Sequence, residues 1–202
     1  MPEDLQQRLL EGIRTTHPAE WLAVATGVVY VLLIMARRRM GWIFGGISSL
    51  ILMVLAARAK LPMNALLQLT YVVAAVYGWW SWSKAGDDRP IGRWHWRGHA
   101  VALAICLLVS LGLAHLPAME QSSAFPFTDS LVACAGLVAT WLVARVYLEN
   151  WLYWIVVDAV SIGLYFAQGL VVASFLYVMY LVIATVGFFH WLARYRRQNH
   201  AP

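Results

Sequence analysis

The chain has 202 residues, of which 61% are hydrophobic and 12% charged. Soluble domains carry about 25% charged residues, so too little polar surface remains to dress a soluble globule, and an integral membrane protein is the class that fits. The formal charge of +5 then reads as topology rather than as affinity for nucleic acid, and no nucleic-acid partner is expected.

Residues 1–18 form a short polar segment whose Leu5, Leu9, Leu10 and Ile13 make one face of an interfacial helix. Acidic residues precede the first apolar run and no small-residue cleavage site follows it, so this segment is not expected to be a signal peptide. Seven apolar stretches come next, predicting an all-α membrane protein with seven transmembrane helices at 19–36, 41–57, 61–82, 98–116, 128–144, 150–168 and 170–191. A polar stretch at 83–97 and a Pro-containing stretch at 117–127 bracket the fourth span, and 193–202 forms a basic tail. With seven spans, eleven of the fifteen basic residues fall on the side of the C-terminus, which places the N-terminus outside and the C-terminus in the cytoplasm. Trp79, Trp80, Trp82, Trp94, Trp96 and Trp191 lie near that inner interface and are expected mostly as belt residues. Cys106 and Cys134 sit in apolar runs and are expected as packing residues, while the first-turn Asp129 is expected to complement a helix N-terminus.

The sixth span departs from a lipid-facing composition. Trp151, Trp154 and Asp158 are spaced by three and four, which puts them on one helical stripe, and Ser161 and Tyr165 continue it. An ionised Asp at the centre of a spanning helix costs ~2.5–3.5 kcal/mol on insertion scales, and such residues face a bundle interior or a watery cavity. Two aromatic faces beside a carboxylate suit a flat cationic ligand. The plainer alternative is an interfacial Trp pair with an Asp bonded to a neighbouring helix. Asn64, Gln68, Tyr177 and Tyr180 are further candidates, and packing is the alternative for Asn64, Tyr177 and Tyr180.

Shifting the chain by 109 residues aligns Gly27 with Gly136, Trp42 with Trp151, Tyr71 with Tyr180, Ala75 with Ala184, Gly78 with Gly187 and Trp82 with Trp191, without a gap. Residues 19–82 and 128–192 are therefore expected to be duplicated three-helix units. The segment 83–127 carries the single linking helix that makes the two units parallel. A substrate site is expected at their interface, where Asp158 corresponds to Ser49, Trp154 to Gly45 and Tyr177 to Gln68.

The run W-L-Y-W-I-V-V-D at 151–158 resembles the WxxWxxx(N/D) signature of the PnuC family of vitamin transporters, and L-L-Q-L-T-Y-V-V-A-A-V-Y-G-W-W-S-W at 66–82 resembles that family's LQ…Y…YGW…W segment. The 3+1+3 arrangement is also similar to SWEET sugar transporters. The resemblance spans residues 21–191 and implies facilitated diffusion of a nucleoside-like vitamin: nicotinamide riboside, thiamine or riboflavin. It also implies a homotrimer without an energy-coupling partner, with a cytosolic kinase trapping the product. By the same resemblance Trp151, Trp154, Asp158 and Gln68 line the pocket, and neither a cofactor nor a metal is expected. Many nicotinamide riboside members carry Asn where this chain has Asp158, so thiamine stays open as an alternative. Proton coupling through Asp158 is a second alternative, although no chain of acids crosses the spans. An enzyme is disfavoured, because the six histidines lie at helix ends or in loops without paired spacing.

Overall fold

A computed structural model describes residues 2–85, 89–117, 119 and 123–200. Asp87 and Asp88 of the polar stretch, part of the 117–127 stretch and the last two residues of the basic tail lie outside the described residues. Eight helices are described: α1 Pro2–Thr15, α2 Pro18–Met35, α3 Gly41–Arg58, α4 Pro62–Ala85, α5 Trp96–Ala114, α6 Pro126–Ala144, α7 Asn150–Ala167 and α8 Val171–His200. Six of them (α2, α3, α5, α6, α7 and α8) are long and apolar enough to cross a membrane. The 24 residues of α4 span about 36 Å at ~1.5 Å per residue, but Asn64, Gln68, Ser81, Ser83 and Lys84 make it less apolar. α8 continues through most of the stretch expected as a tail.

The helix ends follow local chemistry. Nδ1 of His17 accepts from Ala19 N at 3.1 Å ahead of Pro18, and Nδ1 of His95 accepts from Arg97 N at 3.2 Å, so two of the histidines are N-caps. Asp129 lies in the first turn of α6 and accepts from the Ser123 hydroxyl. Among the described residues, those in the left-handed region fall into pairs 109 apart: Arg37 and Val146 (both φ 60°), and Lys60 and Gly169 (φ 58° and 76°). Each closes its helix in the same way. Arg38 N donates to Leu33 O at 2.8 Å and Tyr147 N to Leu142 O at 3.0 Å; Leu61 N donates to Ala56 O and Leu170 N to Tyr165 O, both at 2.9 Å.

The packing follows the same correspondence. α3 packs between α2 and α4, and α7 packs between α6 and α8. The two groups meet through α4 on α6 and α2 on α8, so the first helix of each touches the third helix of the other. α5 packs on α6 and otherwise shows an apolar surface, with Leu108 70% exposed. α1 rests on α8, where a Cβ on Gly12 would meet the Val172 side chain at 2.6 Å, while Leu10 and Ile13 stay exposed as an interfacial face requires.

The buried core is not at the centre of the helices. Ile34, Trp42, Ala75, Trp82, Val143, Ala144, Trp151, Ala184 and Trp191 form one cluster at the end carrying the α2–α3 and α6–α7 turns. A strap from the α4–α5 connection seals that end. Gly92 N donates to Val146 O and Leu148 N to Gly92 O, both at 3.0 Å, and Ile91 N donates to Gln198 Oε1 at 3.1 Å. Beside them Glu149 is buried and accepts from Arg93 Nε at 2.9 Å and Trp94 N at 3.0 Å. The bond to that carboxylate holds the Arg93 guanidinium above its ordinary value.

Candidate functional site

Above this core a cavity of about 240 Å³ opens between the two three-helix groups. Its walls come from all six helices. The α3 and α4 side contributes Trp42, Gly45, Ser48, Ser49, Gln68 and Tyr71. The α7 and α8 side contributes Asn150, Trp151, Trp154, Asp158, Tyr177 and Tyr180. Thus Gln68, Trp151, Trp154, Asp158, Tyr177 and Tyr180, six of the seven candidates named from the sequence, line one space. Asn64 does not: it lies one turn before Gln68 on α4 and is exposed.

Helical spacing explains the convergence. Trp151, Asp158 and Ser161 are buried on one stripe of α7, and Trp154 is half-buried beside them. Asp158 is 3% exposed. Among the described residues no hydrogen bond or ion pair reaches its carboxylate. A buried carboxylate without an ion-pair partner is costly and calls for a cation or an added donor. Tyr177 is held by stacking on Tyr165, with centroids 5.1 Å apart and planes 11° apart, and meets Tyr180 edge-on at 6.2 Å.

Two glycines let the tyrosines in. A Cβ on Gly27 would lie 2.9 Å from the Tyr180 hydroxyl, and one on Gly136 would lie 2.5 Å from the Tyr71 hydroxyl. Each of these contacts joins the first helix of one group to the third helix of the other. Gly78 and Gly187 likewise sit against Trp42 and Trp151, so that any side chain at either would overlap the indole. Trp151 and Trp42 are therefore both wedged as walls, and both indole nitrogens are buried without a hydrogen-bond partner among the described residues.

Sequence reasoning missed several lining residues. Tyr30 and Thr140 gave no signal of their own. Tyr71 was legible as the counterpart of Tyr180. Asn150 opens the sixth span and is fully buried, with Nδ2 donating to Tyr147 O at 2.6 Å and Oδ1 unpaired. The belt expectation fails for Trp82 and Trp191, which are buried in the core. It suits Trp80 and Trp96, which are exposed. A larger groove of about 790 Å³ runs along the outside of α3 and α4 past Arg58 and Lys60. Its walls are otherwise apolar and bring no set of polar groups together, so it is not the candidate site. Among the described residues no cluster of His, Cys, Asp or Glu suits a metal.

The family described as nicotinamide mononucleotide transporter matches residues 17–193, nearly the whole chain. The chain belongs to that family. The resemblance read from the two motifs is thereby borne out, and the relatives of this nicotinamide mononucleotide transporter family member are transporters rather than enzymes. It is 25% identical over 214 aligned residues to the nicotinamide riboside transporter PnuC of Escherichia coli K12, covering 91% of this chain and 90% of that one. It is 26% identical to the PnuC of Neisseria mucosa, covering 91% of this chain and 76% of the relative. A riboflavin/roseoflavin transporter, RibM of Streptomyces davaonensis, is 30% identical over 139 residues, 65% of each chain. The crystal structure of a vitamin B3 transporter PnuC superposes with a TM-score of 0.71 at 23% identity, covering 96% of this chain and 88% of that one, which shows the fold. The six apolar helices and the family together make the chain a multi-pass protein of the bacterial inner membrane.

Proposed function

We propose that the protein carries a cationic, aromatic, nucleoside-like vitamin across the inner membrane by facilitated diffusion, with nicotinamide riboside as the substrate. The observation that carries this is the Asp158 carboxylate, buried in the cavity without an ion-pair partner among the described residues and flanked by Trp151 and Trp154. A pyridinium ring meets both needs of such a site: it stacks on an indole and supplies the missing charge. The relatives named as nicotinamide riboside transporters support that choice. Thiamine is the second reading, favoured by Asp158 standing where many nicotinamide riboside members carry Asn. Riboflavin, the cargo in the name of the RibM relative, lacks the fixed charge that Asp158 calls for.

In this reading α4 also crosses the membrane, which makes seven spans, and the N-terminus lies outside. The groups α2–α4 and α6–α8 are parallel repeats that rock about the cavity to alternate access, as in SWEET-like carriers. Gln68, Tyr177 and Tyr180 complete the pocket walls. The chain works as a homotrimer, and a cytosolic kinase traps the vitamin after entry. Direct titration tests the proposal: purified protein is titrated with nicotinamide riboside, thiamine and riboflavin while Trp fluorescence is followed. Saturable binding of one cation that is lost in Asp158→Ala is the expected result. Binding of riboflavin alone would overturn the charge argument, and thiamine alone would move the assignment to the second reading.

A further inference from the structure

The two buried tryptophans that do not fit a membrane belt share an unusual arrangement. Trp82 lies near the end of α4, and its Nε1 donates to Val143 O on α6 at 3.3 Å. Trp191, 109 positions later on α8, donates from Nε1 to Met35 O on α2 at 3.1 Å. Each indole thus leaves its own three-helix group and bonds the backbone end of the first helix of the other. Each ring also stands edge-on to a cavity-wall tryptophan. Trp82 meets Trp42 at 5.8 Å and Trp191 meets Trp151 at 5.6 Å, both with planes 84° apart. The α4 side has one more bond of the same kind, from Ser81 Oγ to Ala144 O at 3.0 Å. All of this lies in the core cluster that closes the cavity at the α2–α3 and α6–α7 turns.

We infer that Trp82 and Trp191 are the paired latches of the gate at that end of the cavity, and that both bonds must break before a ligand can leave toward the turns. The inference deepens the transport reading and rests on it for the direction of passage. The physical case is that these bonds cross the plane along which the two groups must part, whereas most backbone bonds lie within single helices. Met35 O lies at a helix C-terminus without an intrahelical donor, and Val143 O, which also accepts from Val146 N at 2.9 Å, has a second lone pair for the indole. Indole is suited to the place because it offers one donor and no acceptor. Its ring fills the plug while its N–H ties the plug across the interface. The acceptors are backbone atoms, so removing the indole N–H removes each bond without altering its acceptor. Separation also leaves the wall tryptophans Trp42 and Trp151 seated on Gly78 and Gly187 of their own groups, so the binding wall survives opening.

The test reads the gate without needing a ligand. In a Cys106→Ala, Cys134→Ala background, Ala184→Cys reports from the cavity side of the plug. Membrane vesicles presenting the turn side outward are exposed to a charged, impermeant maleimide. W82F and W191F keep the ring and remove the donor, and each is expected to raise the labelling rate about fivefold, the double variant about thirtyfold. W80F, which changes an exposed tryptophan, is expected to leave the rate unchanged. A double variant within twofold of the parent overturns the latch. So does a W80F rate that rises as far as that of W82F. If the double variant does not accumulate, the two single variants decide by the same criterion. A parent that binds none of the three vitamins overturns the substrate assignment and leaves the labelling result to judge the gate.

Discussion

The α2–α4 and α6–α8 groups are alike in how they pack and unlike at the cavity wall. Trp42 and Trp151 wedge against Gly78 and Gly187, Trp82 and Trp191 reach across to the other group, and Tyr71 and Tyr180 enter over Gly136 and Gly27. The same residues recur because a steric fit admits few substitutes. At the cavity wall the correspondence breaks. Ser49 stands in the register where the other group has Asp158, Gly45 where it has Trp154, and Gln68 where it has Tyr177. Bulk is traded as well as charge. Tyr30 fills the space beside Gly45, where a Cβ would come within 2.8 Å of its ring, whereas its counterpart Ala139 is small and fully buried. Both walls are aromatic, with Tyr30, Trp42 and Tyr71 on one side and Trp151, Trp154, Tyr177 and Tyr180 on the other, but only the second carries a carboxylate, so on the proposed reading a cation would have one favoured orientation.

Perturbing counterparts in parallel tests that contrast. The largest difference is expected at the carboxylate: Asp158→Ala weakens cation binding by about 100-fold or more, whereas Ser49→Ala changes it by less than about threefold, both read by fluorescence titration. Equal losses would mean that the walls are energetically equivalent. Next, Trp154→Ala is expected to weaken binding by about tenfold through lost stacking and cation–π attraction. The same titration checks it, and riboflavin affinity falling without any change for the cations would contradict it. The scaffold should answer symmetrically instead. Gly78→Ala and Gly187→Ala each force an indole to move and should each cost about 1–3 kcal/mol, seen as similar drops in the melting temperature in detergent. A drop confined to one would show that only one group carries the fold. The smallest effect is expected at the strap, where Glu149→Gln keeps an acceptor for Trp94 N but loses the charge facing the exposed Arg93. A destabilisation of about 1 kcal/mol or less, shrinking further at high salt, is expected from an ion pair with one partner in water.

Much of this was legible in the sequence because helical periodicity and a fixed register are local properties. The stripe Trp151, Trp154 and Asp158 and the 109-residue register needed no tertiary information, and both coincide with contacts in the structure. Trp82 and Trp191 were misread because their position along a span says how deep they lie and not which face they occupy. Asn64 was placed by its polarity alone, yet one helical turn separates the cavity wall from the exposed start of α4. The strap was not legible at all: Gly92 and Val146 are far apart in sequence, and nothing local announces that a β-branched residue at φ 60° will be held by a distant glycine. The α4 segment shows a further limit. Residues that line a cavity, such as Gln68, lower the apolarity by which a spanning helix is recognised.

The crossed pairing of first and third helices has a consequence for how the chain is made. α2 leaves the ribosome well before α8, yet the indole that bonds its end at Met35 and the tyrosine hydroxyl that meets its Gly27 both belong to α8. The nascent α2 can pack on α3 at once, but its neighbour from the other group arrives only after five further helices have been made. A chain stopped after Ala167 would keep Asp158 and both motif tryptophans of α7, but would leave α2 without its contact in the other group and the cavity without the wall that α8 supplies.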